Sequence, residues 1–145
     1  EEVNGNVLDL YSGVGSISIY ISEAAETVLG IEEIEESVSN AHKNKEINEI
    51  ENVDFQCADA RVFMRENDTV FDTIVMDPPR SGIHPKLIKD INRRETPKIV
   101  YMSCNVETLA IDLEALDSYK LISIEAYDMF PQTPHIELLA VLEKK

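Results

Sequence analysis

The chain has 145 residues, 43% hydrophobic and 28% charged, which suits one folded domain with its own core and excludes a disordered segment. No apolar run approaches the ~20 residues of a membrane span, the acidic opening leads straight into a strand so that no signal peptide is expected, and two cysteines make no disulfide framework, which suits a reduced, cytoplasmic setting. Thirteen basic against 28 acidic residues leave a net charge of −15, which repels a polyphosphate and by itself argues against a nucleic-acid-binding module.

Strand-like and helix-like stretches alternate along most of the chain. Residues 6–10 read as a strand and 15–25 as a helix. A second strand follows at 27–32 and a helix at 35–48, with Val38, Ala41 and Ile47 on its inward side. The third strand covers 53–57, with Cys57 expected in the core, and a short helix covers 60–66. Residues 71–77 form the fourth strand, and a helix over 85–92 opens on Pro85, whose fixed φ suits a first helical turn. The fifth strand is 98–102, followed by a helix at 106–116. Then the alternation stops: 121–127 and 136–143 are two strands with only a loop between them, which must run antiparallel to each other. Repeated strand–helix units predict an α/β fold, a mostly parallel sheet with helices on both faces. Seven strands with an antiparallel last strand are the Rossmann-like pattern of class I methyltransferases. Residues 1–145 are expected to form a single unit, with no repeat or linker inside it.

Chemistry-bearing residues gather at the strand ends. The first strand runs into "LDLYSGVGS", where Gly13 and Gly15 permit a tight turn and close approach of a ligand, although the third glycine of a dinucleotide fingerprint is missing. Asp9 closes the first strand, Glu32 the second and Asp77 the fourth, while Asp59 follows the third. In a parallel sheet all four fall at one edge, where open α/β folds bind ligands. That much negative charge disfavours a pyrophosphate and suits a cation bearing a ribose and an adenine. S-adenosylmethionine fits, with Glu32 on the ribose hydroxyls, Asp59 at the adenine amine and Asp9 supporting the glycine turn. Strand-end acids that merely cap the next helix are the plain alternative.

Three further strings sit beyond this: "MDPPRSG" at 76–82, "SCN" at 103–105 and "DMFPQTPHIE" at 128–137. Two prolines after Asp77 restrict the backbone and help aim a side chain. Arg80 stands where enzymes acting on exocyclic amines usually carry an aromatic residue. Cys104 either finishes packing a core or places a nucleophile at the end of a strand. Glu137 reads as an ordinary strand residue or as an acid held in place by a loop rich in proline.

Together these strings resemble the RNA uracil-C5 methyltransferase family, in its order and at similar spacing. The resemblance covers all 145 residues but only the carboxyl-terminal, cofactor-binding part of a typical member. It implies that the family's amino-terminal RNA-binding barrel and central domain lie outside this chain. Ser12 replaces a cysteine common in relatives. The resemblance implies S-adenosylmethionine as methyl donor and an rRNA or tRNA substrate gripped mainly by the other domains, with no metal and a monomeric state. It implies Cys104 as the nucleophile adding to uracil C6, and Glu137 as the base that removes the C5 proton. Tyr11, Gly13 and Gly15 join the four acids around the cofactor. Asp77 and Arg80 face the acceptor base, and His135 orients its loop. Cytosine-C5 methylation, amine methylation and a catalytically silent cofactor-binding module are the alternatives. The cytosine enzymes carry a cysteine after the fourth strand, where this chain has Asp-Pro-Pro-Arg.

Overall fold

The computed structural model of the protein describes residues 3–129, 131–133 and 136–145. Runs of branched and aliphatic residues form the sheet. β1 is Asn6–Leu10, β2 Thr27–Glu32, β3 Val53–Cys57, β4 Thr73–Met76, β5 Lys98–Ser103, β6 Tyr119–Tyr127 and β7 Glu137–Lys144. Between them lie α1 (Ser16–Ile21), α2 (Glu35–Ile47), α3 (Ala60–Glu66), α4 (Pro85–Asn92) and α5 (Val106–Ala115). The seven strands are ordered β3-β2-β1-β4-β5-β7-β6, parallel except for β7, which is antiparallel to both neighbours. The chain leaves β1 toward one edge and β4 toward the other, so the topological switch point lies between these two strands.

Side chains alternate across the sheet and fill two cores. On one face Leu8, Leu10, Ile74, Met76, Ile99 and Tyr101 pack under α3, α4 and α5, through residues such as Phe63, Leu87 and Leu109. Each fully buried aliphatic contributes on the order of 1.5–3 kcal/mol. On the other face Val7, Val28, Val75 and Val100 pack with Val38 and Ala41 of α2 and with Ile17 and Ile21 of α1.

The element order follows expectation, with local departures. α1 stops at Ile21, four residues before the predicted end. There Ser22 turns its hydroxyl back to the Ile19 carbonyl at 2.6 Å, and Asn52 Nδ2 donates to the carbonyls of Ser22 and Ala25, drawing them out of the helix. β4 is shorter than predicted because its neighbours pair with it only from Thr73 to Met76. Ile47 is not inward: it is 78% exposed at the end of α2. Cys57 is not a core residue either. It ends β3, which is an edge strand, and it is exposed, with its Sγ 3.5 Å from the Glu33 carbonyl.

Candidate active site

The carboxyl ends of the parallel strands open onto a cleft of about 440 Å³. Glu32, Asp59, Asp77 and Tyr11 line it, with Ala58 and Pro79 supplying apolar wall. The expected cofactor residues are thus partly brought together. Asp9, in β1, and Gly13 and Gly15, in the turn that follows it, stand just outside.

Each has a definite local role. Gly13 has φ +53°, and a Cβ built on it meets nothing within 4 Å, so the space beside it is open to a ligand. Gly15, with φ +84°, is required by packing, since a Cβ there would lie 2.5 Å from the Phe55 ring. The Glu32 carboxylate accepts from the backbone N–H of Gly13 and of Ile34, both at 3.0 Å, which ties the second strand's tip to the glycine turn. A carboxylate has about four acceptor sites, so two remain for a ligand. Asp59 caps α3 by accepting from Arg61 N–H at 2.7 Å, and it pairs with the Arg61 guanidinium. Hydrogen bonds from that guanidinium hold its carboxyl low, at about 2. The capping reading therefore applies to Asp59, and any ligand there must share the carboxylate with Arg61.

Asp9 is fully buried. Its Oδ2 accepts from Ser18 Oγ at 2.5 Å, so it anchors helix α1 rather than the turn itself. Its Oδ1 and the Ser12 hydroxyl, also buried, have no hydrogen-bond partner among the described residues. Burial, opposed by the Ser18 bond and reinforced by the charge of Asp77, raises the Asp9 carboxyl to about 7. A carboxyl raised in the folded state binds its proton more tightly there than in the unfolded chain. Its contribution to stability is complete below about pH 4 and is lost as pH rises through about 7. Asp9→Asn keeps an acceptor for Ser18 but cannot ionise. The stability of this variant relative to the parent should increase between about pH 4 and about pH 8, measured by denaturant unfolding at several pH values. A difference that does not change with pH would remove Asp9 as the cause.

Cys104 and Glu137 come from strands adjacent in space. The antiparallel ladder of β5 and β7 ends with Ser103 opposite Leu138, so Cys104 directly follows, and Glu137 directly precedes, the last pair of that ladder. Both residues are half-buried. Glu137 also faces Asp77: burial and then the Glu137 charge raise the Asp77 carboxyl above its ordinary value. The thiol and the glutamate thus flank one end of the β5–β7 ladder, and the glutamate lies within electrostatic reach of Asp77 in the acidic cleft. His135 lies outside the described residues.

The sequence reading did not anticipate what fixes the thiol to the loop of Asp77 and Arg80. Asn105 caps α5 through its Oδ1, accepting from Glu107 N–H at 3.0 Å, while its Nδ2 donates to the Arg80 carbonyl at 3.1 Å. Thr108 Oγ1 donates to that same carbonyl at 3.2 Å. Four residues further along α5, buried Asp112 accepts from Ile83 N–H at 2.8 Å and from Tyr101 O–H at 2.6 Å. Burial first, and then this bond, push the Tyr101 phenol up. A signal was present, because Leu109, Asp112 and Leu116 recur at helical spacing and an acid in an apolar stripe needs buried partners. Asp112→Ala leaves two buried donors unsatisfied at about 1–3 kcal/mol each. The expected loss is about 2–6 kcal/mol, read from the denaturation midpoint, and a variant as stable as the parent would contradict the bonding assigned to Asp112.

Among the described residues, no group of histidine, cysteine and acidic side chains is arranged to hold a metal ion, and no helix is long and apolar enough to cross a membrane.

Comparison with known proteins adds a family to this geometry. The sequence profile described as tRNA (Uracil-5-)-methyltransferase matches residues 1–145. An uncharacterised RNA methyltransferase of Mycoplasma mobile is 45% identical over 143 residues, which cover 98% of this chain and 39% of the relative. A tRNA (uracil(54)-C(5))-methyltransferase of Pyrococcus horikoshii is 46% identical over 136 residues, covering 94% of this chain and 32% of the relative. The crystal structure of the Pyrococcus abyssi tRNA (uracil-54, C5)-methyltransferase, in complex with S-adenosyl-L-homocysteine, superposes with a TM-score of 0.85 at 44% identity. That match covers 94% of this chain and 33% of the other. The chain thus spans about a third of the length of these relatives, and its fold is the class I methyltransferase fold that the element order predicts.

Proposed function

The chain belongs to the tRNA (uracil-5-)-methyltransferase family, and from that premise we propose that it is the catalytic part of an enzyme that methylates C5 of a uridine in RNA, with S-adenosylmethionine as donor. The observation that supports this reading is that Cys104 and Glu137 flank the last pair of the β5–β7 ladder, with the charge of Glu137 felt by Asp77 in the acidic cleft. The names of the relatives favour tRNA over rRNA as substrate. The enzyme would act as a monomer in the cytoplasm. Domains in the other two-thirds of such relatives would supply most of the RNA grip.

The cleft fits the donor on chemical grounds. Its lining is acidic, as a cationic ligand requires; Gly13 leaves open space, and Asp9 Oδ1 and Ser12 Oγ are buried polar atoms awaiting a partner. Glu32 would take the ribose hydroxyls, Asp59 the adenine amine and Asp77 the region nearest the reacting atoms. S-adenosylmethionine supplies an electrophilic methyl group on a positively charged sulfur.

The residues of the chain do the rest. Uracil C5 is a weak nucleophile, whereas C6 accepts conjugate addition. The Cys104 thiolate adds to C6, forming a C–S bond and moving the electron pair of the C5–C6 double bond into an enolate. C5 would then take the methyl group as the donor's sulfur–methyl bond breaks, which leaves the donor a neutral thioether. Glu137 removes the C5 proton, the double bond re-forms and the C–S bond breaks, which returns the thiolate. Arg80, held by Asn105 and Thr108 through its carbonyl, would face the acceptor base. A base inside a helix is beyond reach of this cluster, so the target nucleotide must be extruded.

The test is product analysis with the full-length protein, unmodified tRNA transcript and labelled donor. Label recovered as 5-methyluridine is the expected result. Label in 5-methylcytidine or an N-methylated base would overturn the reading.

A further inference from the structure

The charge of this chain is very unevenly distributed. Residues 80–98 hold six basic residues against two acidic ones, a balance of +4 within a chain of −15. This segment starts at Arg80, in the loop after β4, and contains α4. The apolar side of α4, Leu87, Ile88 and Ile91, is buried in the core. Lys86, Lys89 and Arg93 are exposed and spaced by three and four residues, so they form one stripe on the outer side. The stripe runs about 10 Å along the helix axis. Lys86 and Lys89 have no ion-pair partner among the described residues, and Arg93, itself exposed, makes one long pair at 3.7 Å with the partly buried Asp90. Beside the stripe, a groove of about 630 Å³ runs between α4 and α5, with Lys89, Asn92 and Arg93 on one wall and Asp117 and Ser118 on the other. The exposed side of α5 carries Glu107 and Glu114, so the positive surface has a sharp border.

We infer that the outer side of α4 is a phosphate-contacting track for the RNA strand that leaves the active site. The inference rests on the RNA-substrate reading above. The rest of the surface repels the backbone, and the track is continuous in sequence with the loop bearing Asp77 and Arg80. A strand whose nucleotide is extruded into the cleft therefore meets positive charge first along α4. The contacts are to phosphates, so they position the strand without reading its sequence.

The test compares the full-length protein with its Lys86→Ala/Lys89→Ala/Arg93→Ala variant. The readouts are the affinity for substrate RNA as a function of salt and the steady-state kinetics. Each neutralised phosphate contributes about 0.7 to 0.9 to the slope of log affinity against log salt. The variant should therefore lose about two to three units of slope and show a raised KM for RNA, with cofactor affinity and kcat kept. Lys43→Ala/Lys120→Ala, which removes exposed charges on α2 and β6, should leave the slope unchanged. An unchanged slope in the α4 variant, with a parent that makes 5-methyluridine, overturns the track alone and assigns the stripe to an acidic protein partner. A parent that binds RNA but yields no 5-methyluridine defeats the functional reading, and the slope still decides the track. A parent that binds no RNA defeats both.

Discussion

Cys104→Ala is expected to reduce methyl transfer by roughly 10⁴-fold or more, the scale on which loss of a covalent nucleophile acts, while affinity for S-adenosylmethionine stays within a few-fold of the parent. The structure explains why the two effects should separate. Cys104 is half-buried and is not among the residues lining the cleft. The turn that carries it is held by its neighbours: Ser103 Oγ accepts from Asn105 N–H at 3.1 Å, and Asn105 caps α5 and grips the Arg80 carbonyl. Removing one sulfur leaves all of these bonds in place. Isothermal titration with the cofactor and single-turnover methylation of RNA measure the two quantities. Retained methyl transfer in the variant would exclude the thiol as nucleophile and would favour an amine acceptor.

Glu137→Gln should slow turnover by roughly 10²- to 10⁴-fold, the usual contribution of a positioned base, and should do so at a defined stage. The amide that replaces the carboxylate keeps the shape and place of the side chain but accepts no proton. Addition to C6 and methyl transfer to C5 precede the proton abstraction, so the variant should stop with RNA joined to Cys104. A protein–RNA band that survives denaturing electrophoresis and contains the transferred methyl group is the expected observation. A variant that is slow yet accumulates no such species would assign the base to another group, with Asp77, whose carboxyl feels the charge of Glu137, the first candidate.

Much of this was legible in the sequence, for identifiable reasons. The strands announced themselves because both faces of a parallel sheet are covered, so that stretches such as "TIVM" read as continuous apolar runs. The acids at the strand ends followed from parallel topology alone. Burial at the margins was not legible. Cys57 has the composition of a core residue, but strand order puts it on the edge of the sheet, and no local pattern encodes strand order. Ile47 matches the helical spacing of Val38 and Ala41, yet α2 ends beyond the sheet's cover there. The bonds from Asp112 to Ile83 and Tyr101 span 29 and 11 residues and depend on how α5 lies over β5. The position of Cys104 and Glu137 at one end of the β5–β7 ladder likewise depends on a register that the loop length does not specify. The net charge misled in another way, because a total of −15 conceals the positive segment at 80–98.

The most direct test of the central claim uses the full-length protein, S-adenosylmethionine and substrate RNA carrying 5-fluorouridine at the target position. Fluorine at C5 cannot leave as a proton does, so an enzyme that adds a thiol to C6 and methylates C5 is trapped as a covalent adduct. The account predicts a stable protein–RNA species whose modified peptide, by mass spectrometry, carries the nucleotide on Cys104. Failure to trap any adduct, by a protein that still methylates unmodified RNA, would contradict it and show that the acceptor atom is not uracil C5.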